Sequence, residues 1–406
     1  MKSWFTIFFI LILNILFSQS EYTFRLPEKT KKEHLSFKLI NNQIIISTNL
    51  EGTQNLNFII DTGSPYNIVF NYNLDRPLPV LNYHQKISIK GPGDNAPIEA
   101  FILQDKKISL KKYNLEKGKV IVVNTPFYNF EEHFGTKIHG ILGYDFFKYY
   151  PIKINFQKKF LTILSPKKFK SKNYKSYTPF DITIENNKAY LQEDLLNNQN
   201  SKKLLIDTGN SDTFWLNLKD DISLPSKHIE DFLGFGINGN IYGYRARFNQ
   251  LQLKDFTVEQ PIIAFPKQNL TNKRISLIED IDGSIGSGFL NRFHVIFDYP
   301  NRTLFLKKNS FYSRPYHYNL SGITIKQLHF SIPIFEIHTV RKESNAYKSG
   351  IREGDIILKI NNEKTHDKTL HEVFKLLPKK EYKKVKLLVN RNGRYIEYTF
   401  RLHDII

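Results

Sequence analysis

Apolar residues along this chain come in short runs, cut repeatedly by Gly, Pro, Asn and Lys. Runs of that kind predict strands joined by tight turns, and so a β-rich protein rather than a helical bundle. Gly-containing turn signals sit inside SIKGPGDNAPIEAFI (88–102) and GFGINGNIYGYRARF (234–248), each flanked by apolar residues as in a hairpin. The stretches that follow, ISLKKYNLEKGKVIVV and LQLKDFTVEQPIIAF, alternate in a way that predicts two more strands each.

The pattern changes near residue 322. From there it predicts a strand, a short helix ending at Gly350, a strand and a second helix. That second helix has Thr369 and Glu372 as a capping box, Leu370, Val373, Phe374 and Leu377 on one face, and Pro378 as its stop. A hairpin turning at Asn392-Gly393 closes the chain.

Two segments repeat. NFIIDTGSPYNIVF (57–70) and KLLIDTGNSDTFWL (203–216) both place Asp-Thr-Gly directly after an apolar run that reads as a buried strand. Downstream, HGILGYDFFKYYPIKINFQKKFLTI (139–163) aligns with DGSIGSGFLNRFHVIFDYPNRTLFL (282–306). Each has a small-apolar-Gly step, an aromatic-apolar pair, a strand, a polar turn and another strand. Gly143 follows Asp61 by 82 residues and Gly286 follows Asp207 by 79. A chance second tripeptide would not bring a second anchor into register, so the chain carries an internal repeat. The repeats predict two β lobes, with cores at about 35–165 and 175–310 inside domains 21–170 and 171–318, and a separate small domain at 322–406.

A length of 406 residues suits several cores. Residues 1–20 combine Lys2, an apolar stretch from Trp4 to Phe17 and small residues at Ser18 and Ser20, the layout of a cleaved export signal. The stretch is shorter than the roughly 20 residues of a spanning helix, so no membrane span is expected to remain after cleavage. The chain has no cysteine, so disulfides cannot support an exported fold, which favours a bacterial envelope or secreted protein. The formal charge of +19 is spread along the sequence with no nucleic-acid-binding motif, so it reads as a basic surface and no nucleic-acid partner is expected.

The chemistry lies in the doubled tripeptide. An aspartate on a turn after a buried strand stands at the edge of a core, and the following glycine lets a second backbone approach closely. Lobes packed about a pseudo-twofold axis would bring Asp61 and Asp207 face to face. Two carboxylates at one site share a proton, so one serves as base while the other serves as acid. Such a pair activates water and protonates a carbonyl oxygen together, as peptide hydrolysis requires. The hydroxyls of Thr62 and Thr208 can bond across the axis, and the hairpin near 90–98 can fold over the pair as a flap.

With these residues in view, the doubled Asp-Thr-Gly and its downstream glycines resemble the aspartic proteases, pepsin-like and retropepsin-like, over roughly 35–310. The segment AYKSGIREGDIILKINN (346–362), through Gly350, Gly354, Asp355 and Ile360, is similar to a PDZ domain. The combination resembles exported bacterial aspartyl proteases with a C-terminal PDZ domain. The resemblance implies a mainly β, bilobal pepsin-like double-β-barrel fold followed by a small PDZ-like β domain with two helices. It implies a catalytic dyad of Asp61 and Asp207, with Thr62, Gly63, Ser64, Thr208, Gly209 and Asn210 shaping the loops.

In pepsin-like enzymes a hydroxyl after each Gly commonly bonds the outer carboxylate oxygen. Ser64 fits that role, while the second loop has Asn210 there. No flap tyrosine is assigned, because the first hairpin has none between Lys86 and Phe101. The stretch expected to hold the PDZ carboxylate loop, 325–335, has no glycine, which leaves binding of free C-termini open.

The expected partners are a polypeptide substrate and a peptide or protein ligand of the PDZ domain. No cofactor and no metal are expected: His133 and His139 lack metal-ligand spacing and read as core or solvated histidines. Asp145, Asp298 and Asp355 read as structural. GSIGSG at 283–288 has Ile285 where a nucleophile elbow has serine. The expected function is an aspartic endopeptidase in the periplasm or outside the cell. The alternative is an envelope protein that holds peptide in the same cleft without cutting it.

Overall fold

The computed structural model describes residues 23–79, 85–125, 130–219, 222–267, 281–329 and 332–406. The expected export signal at 1–20 lies outside the described residues. The protein is mainly β, as the short apolar runs predict, with strands in sheets of nine, thirteen, two and six. Among the described residues these sheets do not form the expected double barrel. No helix of the described residues is long and apolar enough to cross a membrane.

Several hairpins are set by paired asparagines. Asn41 and Asn42 (φ 49° and 63°), Asn186 and Asn187 (49° and 63°) and Asn361 and Asn362 (49° and 72°) all take left-handed backbone. Two successive positive φ values give the turn whose twist suits flanking strands, and asparagine tolerates it best after glycine.

The two halves share one strand plan. Thr53–Ile60 runs into Asp61 and pairs in parallel with Gly140–Leu142, which pairs antiparallel with Ile68–Phe70. Ile68–Phe70 pairs in turn, in parallel, with Tyr113–Val123. In the second half Lys202–Asp207 pairs in parallel with Gly283–Gly286, which pairs antiparallel with Phe214–Leu216. Phe214–Leu216 then pairs in parallel with Ile262–Pro266. Strands buried on both faces read as continuous apolar runs, so the sequence signal here was strong.

The halves meet in the thirteen-stranded sheet. Ile152–Asn155 and Phe293–Asp298 lie antiparallel at their junction, with Ile152 opposite Phe297 and Asn155 opposite His294. Each is followed outward by its hairpin partner, Phe160–Leu164 or Thr303–Lys308. One continuous apolar core runs through both halves, and a separate core built from Ile323 to Leu402 fills the C-terminal unit. That unit orders its strands as Ile323–His329, Ile334–Val340, Ile356–Ile360, Lys384–Arg391 and Arg394–Arg401, with helices Asn345–Lys348 and Leu370–Leu376. The expected capping box of Thr369 and Glu372 is present.

Candidate active site

Each aspartate leaves its strand into a turn closed by its own backbone: Ser64 N–H donates to Asp61 O, and Asn210 N–H to Asp207 O, both at 3.3 Å. The downstream glycines hold these turns from behind. A Cβ on Gly143 would lie 2.4 Å from the carbonyl oxygens of Ser64 and Tyr66, and one on Gly286 would lie 2.2 Å from that of Asp212. Only glycine fits there. The next residue then bonds the loop, Tyr144 N–H to Ser64 O at 3.0 Å and Ser287 N–H to Asn210 O at 2.7 Å.

The loops are tied to each other through threonine. Thr62 Oγ1 donates to Ile206 O (2.7 Å) and accepts from Thr208 N–H (2.9 Å). Thr208 Oγ1 donates to Ile60 O (2.8 Å) and accepts from Thr62 N–H (3.0 Å). Both side chains are buried, so the four bonds form a closed dry unit in which each backbone group finds a partner.

This lock brings the aspartates together. A Cβ on Gly63 would lie 2.7 Å from Asp207 Oδ1, and one on Gly209 would lie 2.5 Å from Asp61 Cγ. Gly63 N–H donates to Asp61 Oδ1 at 2.8 Å, while Gly209 and Asn210 N–H donate to Asp207 Oδ1 at 2.9 and 3.0 Å. The two side chains share a hydrogen bond. Burial pushes both carboxyl groups above the usual range. The charge of Asp61 raises Asp207 further, whereas the bond from Asp207 and the nearby Lys188 ammonium work against the rise at Asp61. The pair therefore holds a proton at pH values where separate aspartates would be ionised.

All eight residues singled out in the sequence, Asp61 to Ser64 and Asp207 to Asn210, thus lie at one place. Two side-chain details differ from expectation. Ser64 Oγ donates to Tyr66 O (2.8 Å), and the Asn210 amide donates to Ser284 Oγ (3.1 Å), so neither side chain takes up the expected bond to a carboxylate. Backbone N–H groups do that work instead.

Other residues were missed. Asn42 Nδ2 crosses from the first half to Ser211 O (2.9 Å), and Gln43 Nε2 donates to Gly209 O. Asn238, fully buried, joins the tips of the two hairpins. Its Oδ1 accepts from Gly91 N–H (2.6 Å), its Nδ2 donates to Ala96 O (2.7 Å), its N–H donates to Pro92 O (3.0 Å) and its carbonyl accepts from Asn95 N–H (2.9 Å). A lone asparagine in a turn gives no sequence signal for such a role. Among the described residues no group of three or more His, Asp or Glu side chains is placed to hold a metal.

Residues 336–391 match the PDZ domain family. The C-terminal unit is a PDZ domain. No curated protein matches the chain. PDZ domains bind peptides or proteins, by adding an extended segment to a sheet edge. Just ahead of the glycine-free stretch 325–335, Gly322, at φ +70°, ends the turn from Asn319 and leads straight into the edge strand Ile323–His329.

The PDZ domain also reaches the second loop through charge. Arg341 donates twice to Asp231 (3.1 and 3.0 Å); Asp231 accepts from Arg245 Nε (3.0 Å), and Arg245 Nη1 donates to Asp212 (2.9 Å). Asp212 N–H in turn donates to Asn210 Oδ1 (2.9 Å). The four charges alternate in sign and are largely buried, so each neutralises its neighbours.

Proposed function

We propose that the chain is an aspartic endopeptidase in which Asp61 and Asp207 act as one dyad. The observation that carries this reading is the pair of half-buried aspartates sharing a hydrogen bond, each on an equivalent turn locked to the other by threonine. Asp61, as carboxylate, takes a proton from a water whose oxygen bonds the peptide carbonyl carbon. Asp207 gives its proton to the carbonyl oxygen, forming a tetrahedral diol. Proton transfer to the amide nitrogen and breakage of the C–N bond then yield an acid and an amine.

No metal or covalent intermediate enters these steps. The paired hairpins serve as a gate to the cleft, and the PDZ domain engages substrate or partner. Two carboxyl groups brought together at a cost in stability favour cutting over simple holding of peptide. The apolar leader fits work on polypeptide outside the cytoplasm.

The test is cleavage of an unfolded reporter protein from acidic to neutral pH. The wild type is expected to cut best where the pair carries one proton, with activity falling at either extreme. Cleavage that continues unchanged in Asp61→Asn and Asp207→Asn would sink the assignment.

A further inference from the structure

The PDZ sheet ends at Ile323–His329, and among the described residues no strand pairs with the outer side of that edge. What covers it is a helix of the first half. Phe130–Phe134 packs across the strand. Gly135, left-handed at φ +63°, lies so close to Leu370 that a Cβ would sit 2.8 Å from the leucine Cβ, and 3.3 Å from Gln327 Oε1. Leu370 opens the helix Leu370–Leu376, so the segment 130–135 lies where strand and helix form a groove. Glu132 reaches Lys326 at 3.9 Å.

The same contact touches the hairpins. The His133 ring lies 3.6 Å from that of Phe235 in the second hairpin and 4.9 Å from that of His338 in the PDZ domain, and Phe232 completes the box. Arg341 holds Asp231 of the same hairpin. The buried His338 Nε2 has no hydrogen-bond partner among the described residues, which costs free energy that release would recover. Beyond the box, Gly236 sits against Pro92 at the joined tips.

We infer that the PDZ domain is a clasp: its peptide edge Ile323–His329 is filled by the chain's own helix Phe130–Phe134, and an extended polypeptide adding to that edge must displace the helix. The incoming segment would supply an extended ladder of alternating backbone N–H and C=O groups, which the helical backbone of Phe130–Phe134 cannot present in register with a strand. Displacement takes His133 out of the ring box and so loosens the second hairpin. Edge binding and the closed hairpins are then two ends of one equilibrium, each disfavouring the other. The effect on cleavage rests on the proposed dyad; the competition at the edge does not.

Three forms of the full chain test it, all carrying Asp61→Asn so that nothing is cut. One is otherwise unchanged. One has Glu132→Lys and His133→Ala to uncover the edge, with Glu132→Lys alone as a milder version. The third has Glu132→Cys and Lys326→Cys joined by a short bismaleimide, in a chain with no other cysteine. The probe is a pool of fluorescein-labelled random decapeptides with a free C-terminal Val, Leu or Ile, followed by anisotropy.

Affinity is expected to rise by about tenfold or more when the edge is uncovered and to fall below detection in the clamped form. Hydrogen exchange of the Ile323–His329 amides should follow the same order. Equal binding in all forms, or none in the uncovered ones, overturns the clasp. Because binding needs no catalysis, that failure is distinct from failure of the dyad, which shows as absent cleavage with Asp61 intact.

Discussion

The Asp61 and Asp207 turns are the same turn built twice, and their one conspicuous difference, Ser64 against Asn210, falls where it changes least. In both, backbone N–H groups hold the carboxylate, and the residue after the downstream glycine bonds the loop carbonyl. Asymmetry enters from outside the turns. Gln43 faces the Asp207 loop, whereas Lys188, at the matching place after its asparagine pair, bears on Asp61. A neutral amide on one side and a cation on the other make the surroundings of the two carboxyl groups unequal. The lesson is that equivalent backbones make the pair, and neighbours make its two members unequal.

The strongest way to break this comparison is to remove either carboxyl group. Asp61→Asn and Asp207→Asn are each expected to lower cleavage of an unfolded protein by about 10²–10⁴-fold or more, in spite of unequal surroundings. Next comes the lock. Thr62→Val and Thr208→Val each orphan a buried carbonyl and a buried N–H, and each is expected to cost about 2–4 kcal/mol in chemical unfolding. A clear inequality between them would show that the two turns are not equivalent supports.

A third measurement uses linkage. Because the folded state raises the pKa of Asp207, folding holds a proton that the unfolded chain gives up above about pH 3.9, and stability falls as pH rises through that window. Asp207→Asn is therefore expected to raise the melting temperature at neutral pH, an advantage that fades toward pH 3. The asymmetry itself is sharpened by Lys188→Gln, which should move the acidic limb of the pH-activity profile upward, since the cation favours ionised Asp61. Smallest of all, Asn210→Ser should change activity by less than about fivefold, as only the bonds to Ser284 and Asp212 are altered.

The doubled tripeptide and its spaced glycines were legible because each needs a residue type that nothing else satisfies: a carboxyl group, or the absence of a Cβ. The strands before them were legible as unbroken apolar runs. What escaped were contacts made by ordinary polar residues whose partners are distant in sequence. Asn238 meets a hairpin some 140 positions earlier, and Arg341 meets Asp231 about 110 positions away. No local pattern encodes such pairs. Gly322 went unremarked for a related reason: it lies at the seam between two units, just before the edge strand Ile323–His329.

The central claim is that Asp61 and Asp207 form a single site, and a double-mutant cycle on cleavage tests it most directly. Residues that act as a unit lose nearly everything with the first substitution, so the Asp61→Asn/Asp207→Asn chain is expected to be no slower than either single variant. If the two losses instead multiply, or if each single variant keeps about half of the activity, the aspartates work separately and the account is wrong.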